Sequence, residues 1–321
     1  MPLRHPPRGL KQRPGKAGSV HGCGHGSGMS FGAWLELIAS GLITGGVYAL
    51  VALGLNLQYG LMRILNIAHG EFLMVGAFLT YTVHTVTGLS PLLMVPVAFG
   101  LMMALGMLIH RLTFRKLTRT SPNLDIFEAR GLMVAFGLMF IVQNFAQIVW
   151  GADLRGYDYL ATPVQFGGAQ FSANKLVLFF LSLAFSIALI VLLKQTLWGK
   201  GVRALMQSPS GAQLMGIDTK RLHPLMFGAG LGLSGVAGVL LSMTYTITPA
   251  MGEPYTVTAL IVITLGGFGS MPGALVGGLA LGVIEALGTH FTSPSLKSLL
   301  SYSIFIAVLL WRPNGLFNKR T

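Results

Sequence analysis

The stretch Leu265–Gly288, LGGFGSMPGALVGGLALGVIEALG, decides how the chain is read. Apolar segments flank its start, Thr256–Leu265 and Ala274–Leu287, and each is well short of the roughly 20 residues a helix needs to cross a bilayer. Between them lies Gly266-Gly267-Phe268-Gly269-Ser270-Met271-Pro272-Gly273, a poor helix interior. Its glycines lose backbone entropy, and Pro272 lacks an N–H. Beyond the break, Gly269, Gly273 and Gly277 recur at fours, as do Gly278 and Gly282, which puts a flat stripe on one helix face. Two readings follow. One is a tight extracellular turn between two ordinary spans; the other is a broken or re-entrant helix pair lining a pathway.

Working outward, the composition fixes the class. Of 321 residues, 53% are hydrophobic and 10% charged, against about 25% charged in a soluble domain. The fold class expected is an all-α, polytopic transmembrane bundle of about eight spans or half-spans. Lys and Arg number 22 against 9 acids. The bases fall in short connectors rather than on one folded face, so they mark the cytoplasmic side and not a nucleic-acid partner. Cys23 is the only cysteine, which excludes an intramolecular disulfide and a cysteine metal cluster.

Residues 1–28 form a separate basic tail rich in Pro and Gly, with no apolar core of the kind a secretory signal has. Its composition predicts disorder. Met29 is the expected physiological start, with 29–321 as one transmembrane domain; intact mass of the natively expressed protein tests this. His21 and His25 in that tail are expected to be inert.

The apolar stretches expected to span are Phe31–Tyr59, Ile67–Val86, Pro91–His110, Gly131–Trp150, Lys175–Leu193, His223–Ile247, the broken element and Ser298–Leu310. A bend of the first into two passes is an alternative. Arg111–Arg130 and Lys194–Leu222 read as basic, cytoplasmic connectors, and Gly151–Asn174 as a polar segment with a small hairpin. With those connectors and the basic C-terminus inside, the broken element must enter and leave on one face, which favours the re-entrant reading.

Asn66, His69 and Glu71 form the densest polar cluster beside the membrane, and ionisable groups there are functional by default. A half metal site and a proton relay are both readings of it. The residue pattern favours a cap: Asn66 caps the second span, Glu71 complements its positive end, and His69 fixes its start by hydrogen bonds. Gln143 and Asn144 either line a polar path or bond neighbouring helices. Glu36, Glu253 and Glu285 fall at estimated span ends, where solvation explains them, and no charged pair is expected within the spans. No phosphate-binding loop, nucleophile elbow or paired-histidine zinc motif occurs. No catalytic residue, metal or cofactor is therefore expected. In the 194–222 connector, Ser208 reads as an N-cap, Pro209 as the first helical residue and Gly216 as the helix stop, giving a short helix with apolar Ala212, Leu214 and Met215.

Taken together, LNIAHGE at 65–71, the connector Arg203-Ala204…Gln207…Ala212…Leu214-Met215-Gly216 and LGGFGSMPGALVGGLALGVIEAL at 265–287 resemble the membrane permease subunits of high-affinity branched-chain amino acid ABC importers. The likeness runs from about Leu35 to Gly315. It implies a bacterial inner-membrane subunit that forms half of a translocation path with a second homologous permease. Two cytoplasmic ATPases would bind the ATP and a periplasmic binding protein would deliver substrate. By that likeness Arg203–Gly216 contains the helix that couples to an ATPase. Asn66, His69, Glu71, Gln143, Asn144, Gly266, Gly267, Gly269, Ser270, Pro272 and Gly273 become path or helix-break residues. The connector departs from the family at Gln207-Ser208, where an acidic or amide pair is common, and Pro209 and Gly211 shorten the helix. Substrates in the resemblance extend to urea, amides and small aromatic acids. A stand-alone channel or an ion-coupled transporter using His69 and Glu71 is the rival class.

Overall fold

A computed structural model describes residues 31–166, 169–293, 296–312 and 315; the basic tail lies outside them. The long helices are α1 (Phe31–Met62), α2 (His69–Thr87), α3 (Met94–Ile109), α5 (Leu124–Trp150), α6 (Ala173–Gln195) and α9 (Thr219–Ser242). Between them lie the short α4 (Arg115–Thr120), α7 (Leu197–Gln207) and α8 (Pro209–Leu214). The broken element is α10 (Gly252–Gly266) and α11 (Met271–Phe291), and α12 (Lys297–Trp311) closes the described chain. The one sheet among the described residues is an antiparallel hairpin, β1 (Pro163–Phe166) with β2 (Ala169–Ser172), inside the polar segment.

Among the described residues, six stretches are long and apolar enough to cross a membrane: Gly32–Met62, Pro91–Thr118, Leu124–Trp150, Ala173–Gln195, Thr219–Ser242 and Met271–Phe291. This is a multi-pass helical membrane bundle. Helices α2, α10 and α12 complete it.

The first apolar stretch is a single helix of 32 residues, which sets aside the alternative of two passes. One expectation needs correction. The 111–130 connector is almost wholly helical: α3 runs through a π turn at His110–Phe114 into α4, and α5 starts at Leu124. Arg and Lys are good helix formers, so basic residues beyond an apolar span extend the helix instead of ending it. Pro122 ends it, because a residue before proline is driven out of the helical region: Ser121 is extended, at φ −94°, ψ 124°.

The core is α9, packed against α1, α2 and α3, with α11 laid antiparallel along α1. Small residues set that seam. A methyl added at Gly45 would stand 2.8 Å from the Gly278 carbonyl, and one at Gly278 would stand 2.6 Å from the Ala49 Cα. Backbones meet without side chains between them, as helices in lipid require when no hydrophobic drive pulls them together. By contrast α5 is peripheral: Met133, Phe140, Ile141, Phe145 and Ile148 all face away from the chain.

Tyrosines pin the end opposite the basic connectors. Tyr157 bonds Ser242 Oγ at 2.8 Å and Tyr159 bonds Ser90 Oγ at 2.7 Å. Burial pushes the Tyr157 phenol up to about 12, so it stays neutral in that contact.

Candidate translocation and coupling sites

Two interruptions of helix meet α1 from opposite sides. The first lies between α1 and α2. After Met62 the chain turns back through Arg63, at φ 54°, and α2 begins at His69 beside Val51, well above the end of α1. His69 Nε2 lies 3.2 Å from the Val51 carbonyl, and Ser234 Oγ of α9 donates to the His69 carbonyl at 2.7 Å. Gly70 abuts the Gly252 backbone, where α10 starts, and Gly70 N–H donates to Thr256 Oγ1 at 2.8 Å. The N-termini of α2 and α10 therefore meet inside the bundle. Each carries an acid in its first turn, Glu71 and Glu253, where the helix dipole favours one.

Asn66 does not cap α2. The N-cap position is Ala68, with no side-chain bond, and Asn66 Nδ2 reaches Gln58 Oε1 at 3.1 Å instead. The competing partner is buried and polar, and an amide inside the bundle goes where a second amide needs it. Asn66 Oδ1, His69 Nδ1 and Glu71 Oε2 are buried without a hydrogen-bond partner among the described residues.

The second interruption joins α10 to α11. Gly267 and Gly269 have φ of 91° and 79°, left-handed values that favour glycine. Ser270 caps α11 by accepting from Gly273 N at 3.1 Å, and Pro272 stands in the helix's first turn. Pro272 is thus a helix starter rather than a clash. Gly266 and Gly273 touch through their backbones. The turn packs beside Tyr59, whose ring is 4.6 Å from that of Phe268, so it sits at the end of the bundle that carries Arg63. The turn joins the 15-residue α10 to α11, which at 21 residues is itself long enough to cross, so the segment beyond the break is not the short one its apolar run suggests. Asn56, fully buried on α1, holds the turn with both ends of its amide: Nδ2 donates to the Ser270 carbonyl at 3.0 Å and Oδ1 accepts from Gly269 N at 2.7 Å. Irregular backbone at membrane depth needs such a partner.

Gln143 and Asn144 do not join these breaks. Both lie on peripheral α5, and Asn144 is exposed and bonds Phe140 of its own helix at 2.8 Å. An amide satisfied by the preceding turn can sit on an outer face.

The 203–216 connector divides in two. Arg203, Ala204 and Gln207 belong to α7, and α8 is a separate helix of six residues. Ser208 caps it through Gly211 N at 3.2 Å, and Gly216, at φ 79°, ends it. Ala212 is buried, whereas Leu214 and Met215 are 88% and 83% exposed. A cavity of about 530 Å³ beside α8 is lined by Arg63, Ser121, Met206, Pro209, Gln213 and His223, so the basic connectors converge at one end.

Glu285 also departs from expectation. It is not a solvated span end: it is 4% exposed within α11 and pairs with Lys297 at 3.3 Å. The same carboxylate accepts from Tyr48 at 2.8 Å and from Ser301. A charged pair within the spans therefore exists. Its sequence signal is faint, since Lys297 opens a helix that reads as beginning one residue later.

The sequence profile described as branched-chain amino acid transport system / permease component matches residues 37–309. The chain belongs to this permease family. Among the family's relatives, the high-affinity branched-chain amino acid transport system permease protein BraD of Pseudomonas aeruginosa is 30% identical over 302 residues, covering 89% of this chain and 96% of BraD. LivH of Escherichia coli K12, likewise a high-affinity branched-chain amino acid transport system permease protein, is 30% identical over 311 residues with the same coverage. The permease protein LivM of the same organism is 22% identical over 296 residues, covering 84% of this chain and 67% of LivM. Among solved structures, PsaBC from Streptococcus pneumoniae in complex with Fab gives a TM-score of 0.47 at 16% identity, covering 86% of this chain and 91% of that one.

Proposed function

We propose that this permease is one membrane subunit of an ABC importer for branched-chain or related small amino acids, working in a bacterial inner membrane. Separate cytoplasmic ATPases power it, a second homologous permease completes the path, and a periplasmic binding protein supplies substrate. The observation that carries the reading is α8. A capped six-residue helix presents Leu214 and Met215 outward at the basic end, and an exposed apolar pair of that kind fits a groove on a partner. The sequence holds no phosphate-gripping loop of its own, and in this reading the energy of ATP arrives through that contact. The similarity of this chain to both LivH and LivM of one organism supports two related permeases side by side.

Leu214→Asp tests the assignment. It places a charge in the proposed groove contact, so uptake should fall at least ~100-fold while the amount of protein in the membrane is unchanged. Uptake at the unmodified level removes α8 from the coupling role. A stand-alone ion-coupled transporter draws support from buried Glu71 and His69. It predicts that uptake survives ATP depletion in vesicles, whereas the importer predicts that uptake stops. The ligand of the co-purifying binding protein, measured by calorimetry, separates amino acids from urea, amides and small aromatic acids.

A further inference from the structure

The Glu285–Lys297 pair has no part in either helix break or in α8. Glu285 lies fourteen residues into α11 from Met271, about 21 Å along the helix at 1.5 Å per residue. Glu285 thus lies within the apolar span Met271–Phe291, and Lys297 meets it from the start of α12. Opposite charges at such depth are expensive to maintain.

The two partners differ in freedom. Glu285 is 4% exposed and held by the Tyr48 and Ser301 hydroxyls. Lys297 opens α12, its side chain is 45% exposed, and its ammonium lies 5.7 Å from the Tyr48 ring centroid. The acid is fixed and the lysine is the movable arm. Cavities flank the pair on two sides. One of about 230 Å³ lies between α1, α10 and α12, with Pro254, Val257 and Ile261 as its apolar wall and Glu285 and Lys297 as its charged wall. The other, about 170 Å³, is lined by Ser40, Thr44, Thr289 and the same two charges.

We propose that the larger cavity is a zwitterion subsite for an aliphatic α-amino acid in transit. The ligand's ammonium replaces that of Lys297 at the Glu285 carboxylate. The displaced Lys297 takes the ligand's carboxylate, and the aliphatic side chain lies against Val257 and Ile261. Charges alternate throughout and the site stays neutral, so no lone charge is left in the bundle. Tyr48 and Ser301 hold Glu285 while the lysine moves. This subsite rests on the amino-acid importer reading and places its substrate within the spans.

The test uses the assembled transporter in proteoliposomes with its binding protein. Thr258 lines the larger cavity, and Cys23 is the only native cysteine. Thr258→Cys in a Cys23→Ser background is labelled with a maleimide, with and without leucine. Leucine should slow labelling at least ~fivefold at high occupancy. 3-Methylbutylamine and 4-methylpentanoate, each lacking one of the two charges, should leave the rate unchanged. No labelling, labelling indifferent to leucine, or equal protection by all three overturns the subsite. A structural salt bridge alone would not make that discrimination. The double variant Glu285→Gln/Lys297→Met removes both charges together and should reduce leucine uptake at least ~tenfold at equal abundance in the membrane. Uptake equal to that of an importing wild type overturns the subsite alone. A wild type that imports no aliphatic amino acid overturns the reading beneath it.

Discussion

The two helix breaks sit against the same helix, α1, yet they are finished differently. At the α10–α11 turn both ends of the Asn56 amide are used, and Ser270 and Pro272 restart the helix. At the α1–α2 junction the backbone is tightly packed, but Asn66 Oδ1, His69 Nδ1 and Glu71 Oε2 lack partners among the described residues. A buried polar atom left unpaired is destabilised relative to a wetter arrangement. The α10–α11 turn is finished by its partners, and the junction at His69 is left unfinished.

The contrast can be broken by substitution. The largest effect is expected from Gly70→Val, because the Gly252 carbonyl occupies the space a side chain would need. Backbone would have to move in two helices, a loss above about 4 kcal/mol, and size-exclusion of the expressed protein should show no folded species. Asn56→Leu comes next. It strands the Gly269 N–H and leaves the Ser270 carbonyl with the Ala274 N–H as its donor, so a loss of about 2–3 kcal/mol is expected in denaturant unfolding. Asn66→Ala removes one bond to Gln58 and should cost less than about 1.5 kcal/mol. If Asn56→Leu and Asn66→Ala prove equal, the distinction between a finished and an unfinished break is lost.

Much of this was legible from residue spacing. Gly41, Gly45, Gly278 and Gly282 mark the α1–α11 seam, and Gly273 and Gly277 the contact of α11 with α10, because close approach needs small residues at one helical repeat. Ser208, Pro209 and Gly216 bound α8 through local backbone chemistry. The polar anchors were hidden for a different reason. Asn56 and Gln58 lie inside an apolar run, and the backbone groups they bond belong to positions 169 to 214 residues further on. No periodicity reports such a pairing. Asn66 shows the same limit from the other side: its local pattern fits a cap, and a distant amide outcompetes it. Glu285 was misplaced because hydropathy alone sets a boundary near any charge, and its tyrosine, serine and lysine partners come from two other helices.

Met215 to Asp218 are the four residues between α8 and α9. Ile217 N bonds back to Ala212 O at 3.0 Å, and Asp218 caps α9 through Lys220 N at 3.0 Å, so the strap is welded at both ends. Even pulled straight, four residues reach only about 14 Å. Any push larger than that on the surface helix is handed directly to the most deeply packed rod in the bundle.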